Sequence, residues 1–202
     1  MSWIKTISFE NATGRLKKIY EKITGPHNNV DNVLKIHSLR PHTLVGHMSL
    51  YKNVLHNSSN TLPKWYLESL GTYVSHLNQC EYCVKHHAAG LQRLLKNDPN
   101  LFSEIMESIS KNQTVPSFDQ KFSQGFEYAK KLTLTHSEIS ENDIFDLRKV
   151  GYDDGEILEI NQLVSYFNYV NRTVVGLGVN TQGDILGLSP NESDDPDNWN
   201  HK

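Results

Sequence analysis

The chain has 202 residues, 37% of them hydrophobic and 9% aromatic, with 20 Lys and Arg against 23 Asp and Glu for a net charge of −3. That length buries one sizeable core without staples, and the near-neutral balance argues against a nucleic-acid surface or a polybasic membrane anchor. No apolar run reaches the roughly 18 residues of a membrane span. Residues Met1 to Thr6 carry no secretory pattern and only two cysteines are present, so the expectation is a soluble, cytoplasmic globular protein.

The predicted elements are all helical, with no period-two alternation and no hairpin turn. Residues 11–24 space Leu16, Ile19, Tyr20 and Ile23 three and four apart, an amphipathic helix that Gly25-Pro26 stops. A short apolar segment follows at 30–38, and Pro41 opens a helix to about Leu55. Pro63 opens the next, with Tyr66, Leu70, Tyr73 and Leu77 on one stripe. Cys80 begins another, to about Lys96. Asp98-Pro99 cap a helix to about Lys111, and a further one spans Ser117 to Thr135. Ser140 and Asp143 form a capping pair for a helix ending at Val150-Gly151. Asp153 or Asp154 caps the last, whose stripe is Ile160, Leu163, Val164, Phe167, Val170 and Val174. The expected architecture is a single all-α domain over 1–180, then an acidic, partly flexible tail over 181–202. Within it Ser189 to Lys202, with four acids and one lysine, reads as frayed.

The chemistry concentrates in one helix. Cys80, Cys83 and His87 are offset by three and four, so they share a face. A thiol near a helix N-terminus ionises more easily. Two cysteines three apart can bridge reversibly, and His87 can take or return a proton one turn on. Two alternatives stay open: small core cysteines, or a zinc site from Cys80, Cys83, His87 and His76, which lacks a distant second ligand pair. A c-type haem site needs histidine where Val84 stands. His86 reads as a packing or surface residue, and His27, His42 and His47 as surface histidines without a message. The preceding helix sets Glu68, Gly71, Thr72 and Ser75 opposite its apolar stripe, a face small enough to pack, although period alone leaves Glu68 at the surface. Asn168, Asn171 and Arg172 interrupt the last stripe. They read first as helix–helix hydrogen bonds and an ion pair, and otherwise as pocket lining.

Glu68, eleven residues, then Cys80-x-x-Cys83-x-x-x-His87 resembles the motif of the AhpD-like superfamily of carboxymuconolactone decarboxylases and alkylhydroperoxidases. Asn32-Val33-Leu34, Ser38-Leu39-Arg40-Pro41, Tyr82-Cys83-Val84-Lys85-His86-His87, Gly151-Tyr152-Asp153-Asp154 and Phe167-Asn168-Tyr169-Val170-Asn171-Arg172 resemble its peroxidase-related branch. The resemblance spans about residues 10 to 180. Tyr82 stands where some alkylhydroperoxidases carry histidine.

The resemblance implies an all-α bundle assembling into homo-oligomers (dimers, trimers or hexamers), with no metal and no bound cofactor. It implies a thiol peroxidase cycle in which Cys83 attacks a hydroperoxide, Cys80 resolves, His87 relays the proton and Glu68 orients it. An external dithiol or lipoyl-type reductant restores the pair. Tyr82, His86, Asn168, Asn171 and Arg172 are then pocket or interface residues. The leading function is a thiol-dependent alkylhydroperoxide reductase, which expects a low-pKa Cys83. The alternatives are a general thiol-disulfide oxidoreductase, a redox-sensing oligomer without peroxide turnover, and a carboxymuconolactone decarboxylase-like lyase, whose chemistry needs no CxxC.

Overall fold

Apolar side chains recur at helical spacing along nearly the whole chain. The computed structural model accordingly folds its described residues, 2–188, into helices with no strand among them. In chain order these are α1 (Gly14–Ile23), α2 (Asn32–Lys35), α3 (Pro41–Tyr51), α4 (Lys64–Leu77), α5 (Glu81–Leu94), α6 (Pro99–Ser110), α7 (Gln120–Leu134), α8 (Glu141–Lys149) and α9 (Asp154–Gly176). A π-turn over Lys52–His56 prolongs α3. The segment Ser189 to Lys202 lies outside the described residues. None of the described helices is long and apolar enough to cross a membrane.

Short-range chemistry sets the helix starts. The Asp98 carboxylate accepts the Leu101 amide at 3.0 Å and opens α6. Asp119 does the same for Phe122 at 2.8 Å, so α7 begins at Gln120 rather than at Ser117. Ser140 and Asp143 form a capping box at α8. A second box, Asp153 with Glu156, resolves the start of α9 in favour of Asp153 as the cap. Pro63 and Cys80 sit one residue ahead of their helices, as the N-cap residues of α4 and α5.

The α4 helix is the centre of the bundle. Every residue from Tyr66 to Ser75 is buried, because α5, α7 and α9 all pack around it. Its small polar face makes this workable. Ser69, Thr72 and Ser75 each donate to the carbonyl four residues back, at 2.7, 2.8 and 2.7 Å, so no hydroxyl is buried unpaired. Gly71 leaves room for the Phe167 ring of α9 to lie against the α4 backbone. The same packing overturns the surface placement of Glu68, which is 1% exposed. Helical period separates two faces, but it names a wet one only when the helix has a wet face.

After α9 the chain turns back across the bundle. The Asn32 side chain donates to the Asn180 and Gln182 carbonyls at 2.8 and 3.0 Å, and the Asn32 amide to the Asp184 carboxylate at 3.1 Å. The first residues of the segment read as a tail, 181–188, therefore lie as a strap over α2 and α5.

Candidate active site

The turn between α4 and α5 builds the site. Gln79 takes a left-handed conformation (φ 55), which lets the Cys80 amide close on the Ser75 carbonyl at 2.9 Å. Cys80 thus caps α5 and Cys83 falls in its first turn. Both are free, buried thiols, and their sulfurs lie 2.9 Å apart. One turn on, His87 Nδ1 is 2.8 Å from Glu68 Oε2, and the imidazole stands edge-on to Phe167 with centroids 4.7 Å apart. Glu68 Oε1 is buried without a partner.

The two thiols differ electrostatically. The hydrogen bond shared with Cys83 pulls the Cys80 pKa below its ordinary value against the opposing effect of burial, with help from the Cys83 backbone and the Asn171 amide. Burial pushes Cys83 well above its ordinary value, and the neighbouring Cys80 adds to that. The expectation of a low-pKa Cys83 is therefore corrected: the thiol nearest the helix N-terminus is Cys80, and it is the one that ionises first.

Cys83, His86 and His87 line a cavity of about 60 Å³, together with Tyr82, His47, Tyr166 and the apolar Val33, Met48 and Val170. His47 is the second correction. It is 5% exposed, and burial, reinforced by His37 with its ring 5.0 Å away, lowers its pKa to about 3, so it is neutral. Its Nδ1 is buried without a partner. The signal was available, since His47 continues the stripe of Leu44, Met48 and Tyr51 on α3. His27 and His42 are exposed, as read.

At the cavity mouth the Tyr82 hydroxyl donates to Asp184 Oδ2 at 2.6 Å and accepts the Val33 amide at 3.1 Å. His86 Nε2 is 3.3 Å from the same carboxylate oxygen. Burial raises the Asp31 carboxyl there to about 6, with Asp184 adding to the rise and His86 and Lys35 opposing it. Neither acid carried a signal in the sequence, because both meet Tyr82 and His86 only through the folded chain.

Asn168, Asn171 and Arg172 do not line this cavity. Asn78 bridges the Asn168 and Asn171 side-chain oxygens at 3.1 and 3.0 Å, and Asn171 donates to Ser75 at 3.1 Å. Arg172 bonds Asn168 at 2.7 Å rather than an acid. Asn171 also reaches the dithiol, favouring the thiolate of either cysteine. Among the described residues no three His, Cys, Asp or Glu side chains are grouped to hold a metal ion.

No protein-family model matches the chain, and no curated protein does. Solved structures do. An uncharacterised peroxidase-related protein from Silicibacter sp. TM1040 is 26% identical, with a TM-score of 0.68, over 83% of this chain and 84% of its own. Another from Ralstonia eutropha JMP134, described as an alkylhydroperoxidase AhpD core, is 20% identical with a TM-score of 0.72, over 94% and 98%. The chain has the AhpD-like fold. The same fold is seen in the debrominase Bmp8, a cysteine-to-alanine variant bound to 2,3,4-tribromopyrrole, at 12% identity and a TM-score of 0.61 over 83% of each chain. In this AhpD-like chain, α4 supplies Glu68 while α5 and its cap supply the dithiol and His87.

Proposed function

We propose that this AhpD-like chain is a thiol-dependent hydroperoxide reductase. The observation that carries the reading is a pair of free thiols 2.9 Å apart whose helix also holds a histidine clamped by a buried glutamate. The peroxidase-related names of the structural neighbours favour the same class.

Burial keeps Cys83 protonated at rest, so its proton must leave as the sulfur attacks. With Nδ1–H donated to Glu68, His87 presents Nε2 as the base. The Cys83 sulfur bonds to the terminal oxygen of the hydroperoxide and the O–O bond breaks. The departing oxygen takes the proton from His87, leaving an alcohol and the sulfenic acid. Cys80 then attacks the sulfenic sulfur, water leaves, and a disulfide closes. Two electrons from an external dithiol or lipoyl-type donor reopen it. Val33, Met48 and Val170 supply the apolar wall for the organic arm of a small hydroperoxide. A cofactor-free homo-oligomer completes the proposal.

The test is consumption of tert-butyl hydroperoxide by reduced protein with dihydrolipoamide as donor. Cys83→Ser should abolish turnover. Cys80→Ser should stop after one equivalent and accumulate a sulfenic acid that dimedone traps. Peroxide left untouched, while the disulfide forms and reverses with other oxidants, would point instead to a general thiol-disulfide oxidoreductase.

A further inference from the structure

The two cysteines border different cavities. Cys83 lines the tight one of about 60 Å³ that also holds His87. Cys80 lines a second, of about 200 Å³, floored by Val174 and Val179 and rimmed by Lys85 and Thr181. Among the described residues, Tyr82 alone borders both. Its hydroxyl is fixed by Asp184 and the Val33 amide, and its ring rests on His86 with centroids 4.5 Å apart, so the partition is held in place.

We propose that the second cavity is the docking site of the thiol reductant, which attacks Cys80 there while the oxidant is taken at Cys83 from the other side. Thiol–disulfide exchange needs the attacking, attacked and leaving sulfurs nearly in line. A nucleophile for Cys80 therefore arrives from the side away from Cys83, and the second cavity borders Cys80 without bordering Cys83. The first cavity is the more enclosed and suits a small peroxide, whereas the second stands more open at Cys80. Lys85 and Glu81 stand together at the rim as an exposed ion pair at 2.6 Å. The valines suit a short aliphatic arm. The ligand class is a small thiol, or the thiol end of a flexible dithiol arm.

The electrons balance in two exchanges. The reductant thiolate bonds to Cys80, the Cys80–Cys83 bond breaks, and Cys83 leaves with the pair and takes up a proton. A second reductant thiolate then attacks the first in the mixed disulfide, and Cys80 leaves as thiolate. Two thiols are oxidised and the protein disulfide is reduced. This deepens the proposed function and rests on the dithiol being redox-active, but not on peroxide being its oxidant.

The test oxidises the protein with diamide and then follows reduction by dithiothreitol in stopped flow. Val175 is 49% exposed at the cavity rim, so Val175→Trp should fill the approach and slow reduction at least tenfold. In the wild type, limiting 2-mercaptoethanol followed by acid quench should leave its mixed disulfide on Cys80, read by fragment mass spectrometry. Reduction as fast as in the wild type, or an adduct on Cys83, overturns the proposal. So does failure of diamide to form the disulfide. The trapping assay uses the unmodified chain, so misfolding of the tryptophan variant leaves a decisive readout. Failure of peroxide to oxidise the pair would defeat the peroxidase reading alone.

Discussion

At the scale of single residues, one hydrogen bond divides the labour between the thiols. The two thiols share one hydrogen bond, so the first ionisation of the pair is eased and falls on Cys80, while the second is suppressed and falls on Cys83. Exposure does not separate them, at 1% and 3%, so ionisation decides which reacts first with a small electrophile. Iodoacetamide at neutral pH should label Cys80 before Cys83, with Cys83 labelling rising only as the solution becomes alkaline. Peptide mass spectrometry reads the order, and Cys83 labelled first at neutral pH would sink the assignment. The linkage has a sign. The depressed Cys80 value contributes stability present above the ordinary thiol range and lost as pH falls through the folded value, and the raised Cys83 value opposes it on the alkaline side. The motif made Glu68, Cys80, Cys83 and His87 legible because spacing along α4 and α5 is local. Burial of Glu68 was not legible, because α4 is covered on a face that period alone assigns to water, whereas His47 lay on the apolar stripe of α3.

At the scale of elements, α4 is where sequence and packing constrain each other most. The caps at Asp98 and Ser140 could be read directly, since a cap bonds within three residues, while only the structure chose Asp153 over Asp154. The Gly71–Phe167 contact could not, since it joins two helices distant in the chain. A methyl at Gly71 would strike the Phe167 ring. Overpacking of that kind costs about 1–3 kcal/mol, and alanine's better helix propensity returns at most about 1. Gly71→Ala should therefore lower stability by about 1–2 kcal/mol. Phe167 also packs edge-on against His87, so the displaced ring should carry the imidazole with it and slow disulfide formation. Urea midpoints and the rate of dithiol oxidation test the two halves. A variant as stable as the wild type would mean that α4 and α9 separate without penalty.

At the scale of the whole molecule, the AhpD-like helical class could be read from periodicity and motif, whereas closure of the site by residues 180–188 could not. Tyr82 and Asp184 are 102 residues apart, and Asn32 and Asp184 are 152 apart, beyond any local pattern. The strap lies close. Gly187 sits at φ 75 with its missing Cβ 3.1–3.2 Å from Ala89, and both Gly187 and Leu188 line the Cys83 cavity. Asp184 is the tie, accepting from the Asn32 amide and the Tyr82 hydroxyl beside His86. Asp184→Ala leaves those groups without their acceptor, a loss of about 2–3 kcal/mol. The strap ends the described chain and carries little of the core, so the loss should appear as local opening rather than global unfolding. Hydrogen exchange should speed over 180–188, the urea midpoint should move little, and Cys83 should become more accessible to alkylation at alkaline pH. Exchange unchanged in the strap, or a large fall in the midpoint without faster Cys83 labelling, would show that Asp184 supports the bundle as a whole and does not hold the cover of the cavity.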